Sequence, residues 1–192
     1  MKKKLTVKDI LESKGKKKLT QVYVHTPLEA NACEQSGIDM IVSSENNNFK
    51  FLRESAQNIF FTVGLQYGRY LSEYDIVKRS FELLEMGADA IYCPQSSRFI
   101  KAIADEGIPV VGHTGFIPYK KTHYGGFQAF GKTTQEVNKI LKELHILKDS
   151  GAFAAEIEIV PEEVVEIISK KTDIFLIGMG SGTICDAQYL FS

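Results

Sequence analysis

Residues 71–93 read LSEYDIVKRSFELLEMGADAIYC and hold one complete structural phrase. Ser72 is a residue type that opens helices, because its hydroxyl accepts a hydrogen bond from a first-turn amide. The apolar spacing behind it predicts a helix from Ser72 to Met86, and Gly87 stands where a helix ends in a left-handed turn. Ala90 to Cys93 is then a short apolar run that reads as a strand. The joint between helix and strand recurs as Ser36-Gly37-Ile38-Asp39, Met86-Gly87-Ala88-Asp89, Glu106-Gly107-Ile108-Pro109 and Ser150-Gly151-Ala152-Phe153. A chain that repeats helix end, glycine and strand is building βα units around a parallel sheet.

Seven strands follow from this reading, at 19–24, 39–43, 59–63, 90–93, 110–113, 152–159 and 174–177, most of them apolar enough for burial on both faces. Further helices are expected over Thr134 to Asp149, where Val137, Ile140, Leu141, Leu144 and Leu147 recur at helical spacing, and from Pro161 onward. The pattern alone suits either an open doubly wound sheet or a closed (β/α)8 barrel. With 192 residues the chain is short for a barrel, which commonly takes about 250. Either an abbreviated eighth strand lies near Tyr189 to Ser192, or the end is missing; the uncapped apolar run Tyr-Leu-Phe-Ser points to truncation. All 192 residues read as a single domain.

Composition narrows the function classes. Lys plus Arg number 23 against 24 Asp plus Glu, for a formal charge of −1, so no basic field is present to hold a nucleic acid or an anionic membrane. Cys33, Cys93 and Cys185 are scattered and odd in number, which fits reduced thiols in a cytoplasmic protein better than a disulfide framework or a zinc knuckle. The lysine-rich start lacks the apolar core of a signal peptide, and no apolar run approaches the roughly 20 residues needed to cross a bilayer.

Two places carry candidate chemistry. His113 ends a strand in Val-Val-Gly-His-Thr-Gly, just before a glycine loop, the position where parallel α/β folds bind ligands; a histidine that merely caps the loop is the plainer alternative. Glu156 and Glu158 share one face of a strand otherwise built from Ala, Ile and Val. On a central strand such a pair pushes one pKa upward and supplies a general acid or base, whereas on an edge strand it is a solvated pair. His25 lies just past the first strand, where it lines a site or sits in a loop. Gly178-Met179-Gly180-Ser181-Gly182-Thr183 follows a strand, so Gly180 and Ser181 are placed to cradle an anion or simply to turn the chain. Residues 126–133, GFQAFGKT, spell GxxxxGK[ST], but no buried strand precedes them and the phosphate-loop reading is rejected on that context.

Residues 111–133, VGHTGFIPYKKTHYGGFQAFGKT, and 156–188, EIEIVPEEVVEIISKKTDIFLIGMGSGTICDAQ, resemble the ketopantoate hydroxymethyltransferase family, weakly along almost the whole chain and most specifically over 110–188. The resemblance implies a (β/α)8 TIM barrel of the phosphoenolpyruvate mutase and isocitrate lyase type. It implies transfer of a hydroxymethyl group from 5,10-methylenetetrahydrofolate to the 2-oxo acid 3-methyl-2-oxobutanoate, toward pantothenate, in a homo-oligomer. Glu158 then matches the family's proton-transfer glutamate and His113 its histidine near the oxo acid. Ser43, Ser44 and Glu45 fall in the substrate segment after strand two. The family's magnesium ligands do not carry over: one aspartate position is Ser44, the next is Gly64, and the Lys-x-Glu after strand four is Tyr92-Cys93-Pro94. Glu45 is the one possible replacement ligand. The alternatives are a metal-independent C–C lyase or isomerase acting on another small 2-oxo acid, and a non-catalytic ligand-binding barrel.

Overall fold

A computed structural model describes residues 3–45 and 49–192. Eight parallel strands, β1 (Leu19–Tyr23), β2 (Met40–Ser44), β3 (Phe60–Gly64), β4 (Ala90–Tyr92), β5 (Val110–Gly115), β6 (Ala154–Glu158), β7 (Phe175–Met179) and β8 (Ala187–Phe191), close into a barrel in sequence order. The fold is therefore a (β/α)8 TIM barrel, and the doubly wound alternative is set aside. Closure rests on the last strand: β8 pairs with β1 from Leu19↔Ala187 to Tyr23↔Phe191 and with β7 through Ile177↔Ala187. The eighth strand thus begins at Ala187, two residues ahead of the expected Tyr189.

Helices α2 (Pro27–Gln35), α3 (Phe49–Ser55), α4 (Glu73–Glu85), α5 (Ser97–Asp105), α6 (Thr134–Asp149) and α7 (Glu162–Ser169) fill six crossovers, and residues 180–186 link β7 to β8 without a helix. Ser72 caps α4 through the amide of Asp75, and Thr133 caps α6 in a reciprocal box with Glu136. Pro161 stands at the N-cap of α7 rather than inside its first turn.

The strands' two faces serve two cores. Ile41, Phe61, Val63, Ala155, Ile157 and Leu176 face the helices, while Met40, Phe60, Val111, Ala154, Phe175 and Tyr189 fill the barrel. Helix α1 (Val7–Ser13) closes the N-terminal end: Ile10 joins the interior cluster, and Lys14 reaches the Asp186 carboxylate and the Ile174 carbonyl at the feet of β8 and β7. With one end plugged, the opposite end, formed by the last residues of the strands, is left to hold a site.

Candidate active site

Alternation along β6 sends Ala155 and Ile157 to the helices and turns Ala154, Glu156 and Glu158 into the barrel. Both carboxylates are buried, 3% and 7% exposed, so the solvated edge-strand alternative is corrected: β6 is central, paired with β5 and β7. Backbone strain marks the same place. Ile159, just after Glu158, has φ of 48°, an uncommon conformation for a β-branched residue, and hydrogen bonds to Met179 and Phe130 hold it there. On β5, Gly115 lies so close that a Cβ there would stand 2.5 Å from the Glu158 carbonyl oxygen.

His113, also turned inward, sits between the acids. Its Nε2 is 3.2 Å from Glu158 Oε2 and 3.1 Å from the Phe116 carbonyl, and its Nδ1 is 2.6 Å from the Tyr92 hydroxyl and 3.8 Å from Glu156 Oε2. Burial lifts the Glu156 carboxyl to about 7; the like charge of Glu158 adds to the rise, while His113 opposes it, as does a 3.4 Å hydrogen bond from the Gln21 amide. Desolvation by its neighbours, aided by the nearby acids, pushes the phenol of half-buried Tyr92 well above the ordinary range.

These groups open into a cavity of about 290 Å³ at the C-terminal mouth of the barrel, lined also by Ser43, Ser44, Gly64, Tyr119, Met179, Tyr189 and Phe191. Among the cavity-lining residues are two carboxylates and five aromatic rings, with His113 as the one side chain able to carry positive charge.

The structure brings Glu158, His113, Ser43 and Ser44 together and leaves four expected residues outside. Glu45 is buried in an ion pair with Arg79, 2.7 Å away, and also accepts from the Tyr70 hydroxyl and the Gln66 amide. His25 is exposed, its ring packed on Tyr23. Ser181 spends its hydroxyl inside the fold, accepting from the Val160 amide at 3.0 Å and facing the Ile157 carbonyl at 2.9 Å. Gly180 is exposed in the turn beside it, and the nearby Thr183 amide and hydroxyl go to the Glu162 carboxylate. The amides of Gly131, Lys132 and Thr133 are filled by Glu136, which leaves the GxxxxGK[ST] stretch no free cradle for phosphate.

Magnesium takes hard oxygen ligands, usually one or two carboxylates with waters. At the two ligand positions that the resemblance implies, Ser44 and Gly64 are register partners on β2 and β3, where the side chains offer one hydroxyl and no carboxylate. A Cβ on Gly64 would lie 3.2 Å from Tyr92 Cδ1, so the Tyr92 ring takes up the adjoining space. Glu45 is occupied by Arg79, and no group of three His, Cys, Asp or Glu suited to a metal occurs among the described residues. Residues 46–48, which follow Glu45, lie outside the described residues. The donor set present does not fit the family's ion.

Among the described residues no helix is long and apolar enough to cross a membrane. Solved structures share the fold at low identity: 2,3-dimethylmalate lyase, of the PEP mutase/isocitrate lyase superfamily, superposes with a TM-score of 0.68 at 11% identity over 97% of this chain and 81% of its own. A putative lyase/mutase from Burkholderia cenocepacia gives 0.72 at 8%, over 96% and 80%. In sequence, the 3-methyl-2-oxobutanoate hydroxymethyltransferase of Kosmotoga olearia is 28% identical, covering 97% of this chain and 79% of its own, and that of Pyrococcus furiosus is 30% identical, covering 97% and 74%. The profile described as ketopantoate hydroxymethyltransferase matches residues 42–192, which run from within β2 through β8 and include every residue of the buried acid and histidine cluster, and so this chain belongs to that family of enzymes.

Proposed function

We propose that the protein removes a proton from the carbon beside the carbonyl of 3-methyl-2-oxobutanoate and joins that carbon to the one-carbon unit of 5,10-methylenetetrahydrofolate, a step toward pantothenate. The observation that carries this reading is the placement of Glu158 against His113, 3.2 Å apart, in a cavity at the barrel mouth. Glu158 is the base: it receives the carbon-bound proton, and the resulting enolate attacks the methylene carbon. One water enters overall and supplies the hydroxyl of the product, and tetrahydrofolate leaves. Glu156, lifted by burial, holds a further proton beside His113, and burial excludes bulk water from the enolate.

The absence of carboxylates at positions 44 and 64 favours a second reading, enolisation of another small 2-oxo acid without a metal, for C–C cleavage or isomerisation. One experiment separates the two. Purified protein is incubated with 3-methyl-2-oxobutanoate and 5,10-methylenetetrahydrofolate, and the hydroxymethylated product is followed by NMR. Product formed at a rate that requires Glu158 supports the transferase; proton exchange at the substrate carbon without product moves the assignment to the second reading.

A further inference from the structure

Resting on the enolising chemistry just described, we propose that Tyr92 is a catalytic residue whose hydroxyl hydrogen-bonds the substrate's carbonyl oxygen as charge develops on it, with His113 positioning that hydroxyl. An enolate needs a donor aimed at its oxygen, and such a preorganised donor contributes much of the catalysis in a dry site. The positions that hold magnesium in the family offer no carboxylate here, so the donor has to come from elsewhere in the cavity.

Tyr92 meets the requirement on three counts. It ends β4, and its ring lies beside Gly64, in the space a side chain at that position would otherwise enter. Its oxygen is 2.6 Å from His113 Nδ1, on the cavity wall. The strand that carries it and the strand that carries Glu158 both pair with β5, so phenol and base flank His113 from opposite sides.

The hydrogen bonding of His113 sets the direction of the proton. Phe116 offers Nε2 only a carbonyl oxygen and Glu158 offers it a carboxylate, so that nitrogen carries a hydrogen. The proposed role needs the ring in its doubly protonated form, in which Nδ1–H donates to the Tyr92 oxygen and turns the phenolic hydrogen toward the cavity. The Glu158 carboxylate, 3.2 Å from Nε2, offsets the ring's charge. In the step itself Glu158 takes the proton from carbon, the C–H electron pair becomes the enolate double bond, and the carbonyl π pair moves to oxygen. The phenolic proton stays on Tyr92 and is shared with that oxygen. Burial keeps the phenol in its protonated, donating form.

The test follows washout of the C3 hydrogen of 3-methyl-2-oxobutanoate in deuterium oxide by NMR, with and without EDTA, for the wild type, Tyr92→Phe, His113→Gln and the double variant. Calorimetry gives the Kd of the same oxo acid for each. Expected are wild-type washout indifferent to EDTA and a loss of roughly 100-fold in Tyr92→Phe, the scale of one oxyanion donor, with Kd within about threefold. The His113→Gln substitution adds little once Tyr92 is already Phe. A Tyr92→Phe rate within about threefold of wild type, or wild-type washout that EDTA abolishes and magnesium restores, overturns the role of Tyr92 while leaving the enolising reading in place, and fully multiplicative losses in the double variant overturn the positioning role of His113. No washout in the wild type under either condition overturns the enolising reading, and the inference with it.

Discussion

Glu45 and Arg79 form a 2.7 Å ion pair that ties the end of β2 to α4, with the carboxylate side chain fully shielded and the guanidinium about a quarter exposed at 26%. The Gln66 amide and the Tyr70 hydroxyl complete the carboxylate's shell, so the pair also anchors the loop after β3 that forms one rim of the cavity. Removing one partner of a buried pair leaves a charge without compensation and costs about 3–5 kcal/mol. Arg79→Ala is expected to lose about 3 kcal/mol, because two neutral donors remain on Glu45. Urea unfolding followed by circular dichroism measures it; a loss below about 1 kcal/mol would show that the pair contributes no more than a surface contact.

Glu158 is expected to behave as a base and not as a structural acid. Glu158→Gln keeps the side chain's shape and its place beside His113 while removing the proton acceptor. Loss of a general base costs about 10²- to 10⁴-fold in kcat. Steady-state kinetics on the folded variant should show that fall with KM little changed, and kcat within about threefold of wild type would remove Glu158 from the mechanism.

The raised Glu156 carboxyl gives a pH dependence with a defined sign. In the unfolded chain this group titrates near 4.5, and in the folded protein at about 7. Between those values the folded state holds a proton that the unfolded state has released, so this group makes stability fall as pH rises from about 4.5 to about 7 and adds no further slope above. Glu156→Gln removes the buried charge, and its stability relative to wild type is expected to improve across that window and stay improved at pH about 8. Thermal melts of both proteins at a series of pH values read this out. A difference that is flat with pH would mean that the carboxyl is not lifted by burial.

Ser181 separates a binding role from a structural one. Its hydroxyl bridges the Val160 amide and the Ile157 carbonyl, behind the strained turn at Ile159. Ser181→Ala strands a buried amide, a cost of about 1–3 kcal/mol. Denaturant unfolding should record that loss while KM for the oxo acid stays within about twofold. A large rise in KM with unchanged stability would put Ser181 on the substrate.

The joints Gly87-Ala88-Asp89 and Gly151-Ala152-Phe153 were readable in the sequence because a helix must stop and a strand begin within a few residues, and few residue types permit that turn. Helices α2, α3 and α5 were not singled out: they are short, and α2 is nearly even in its distribution of apolar residues. Tyr92 entered only as the residue at the family's lysine position. The inward phase of β4 is the signal that points to it, and three residues of strand are too few for a period of two to stand out.

Taken alone, the sequence determined the βα repeat, the pairing of Glu156 with Glu158 on one strand face and the family of the chain, because local propensity, periodicity and motif spacing are properties of neighbours along the chain. Tertiary structure decided that β8 closes the barrel without a preceding helix, that Glu45 belongs to Arg79, that Ser181 is spent on the backbone, and that Tyr92 meets His113. Each of those outcomes depends on which groups share a low-dielectric space after strands far apart in sequence have paired. That competition for partners has no counterpart in one-dimensional spacing.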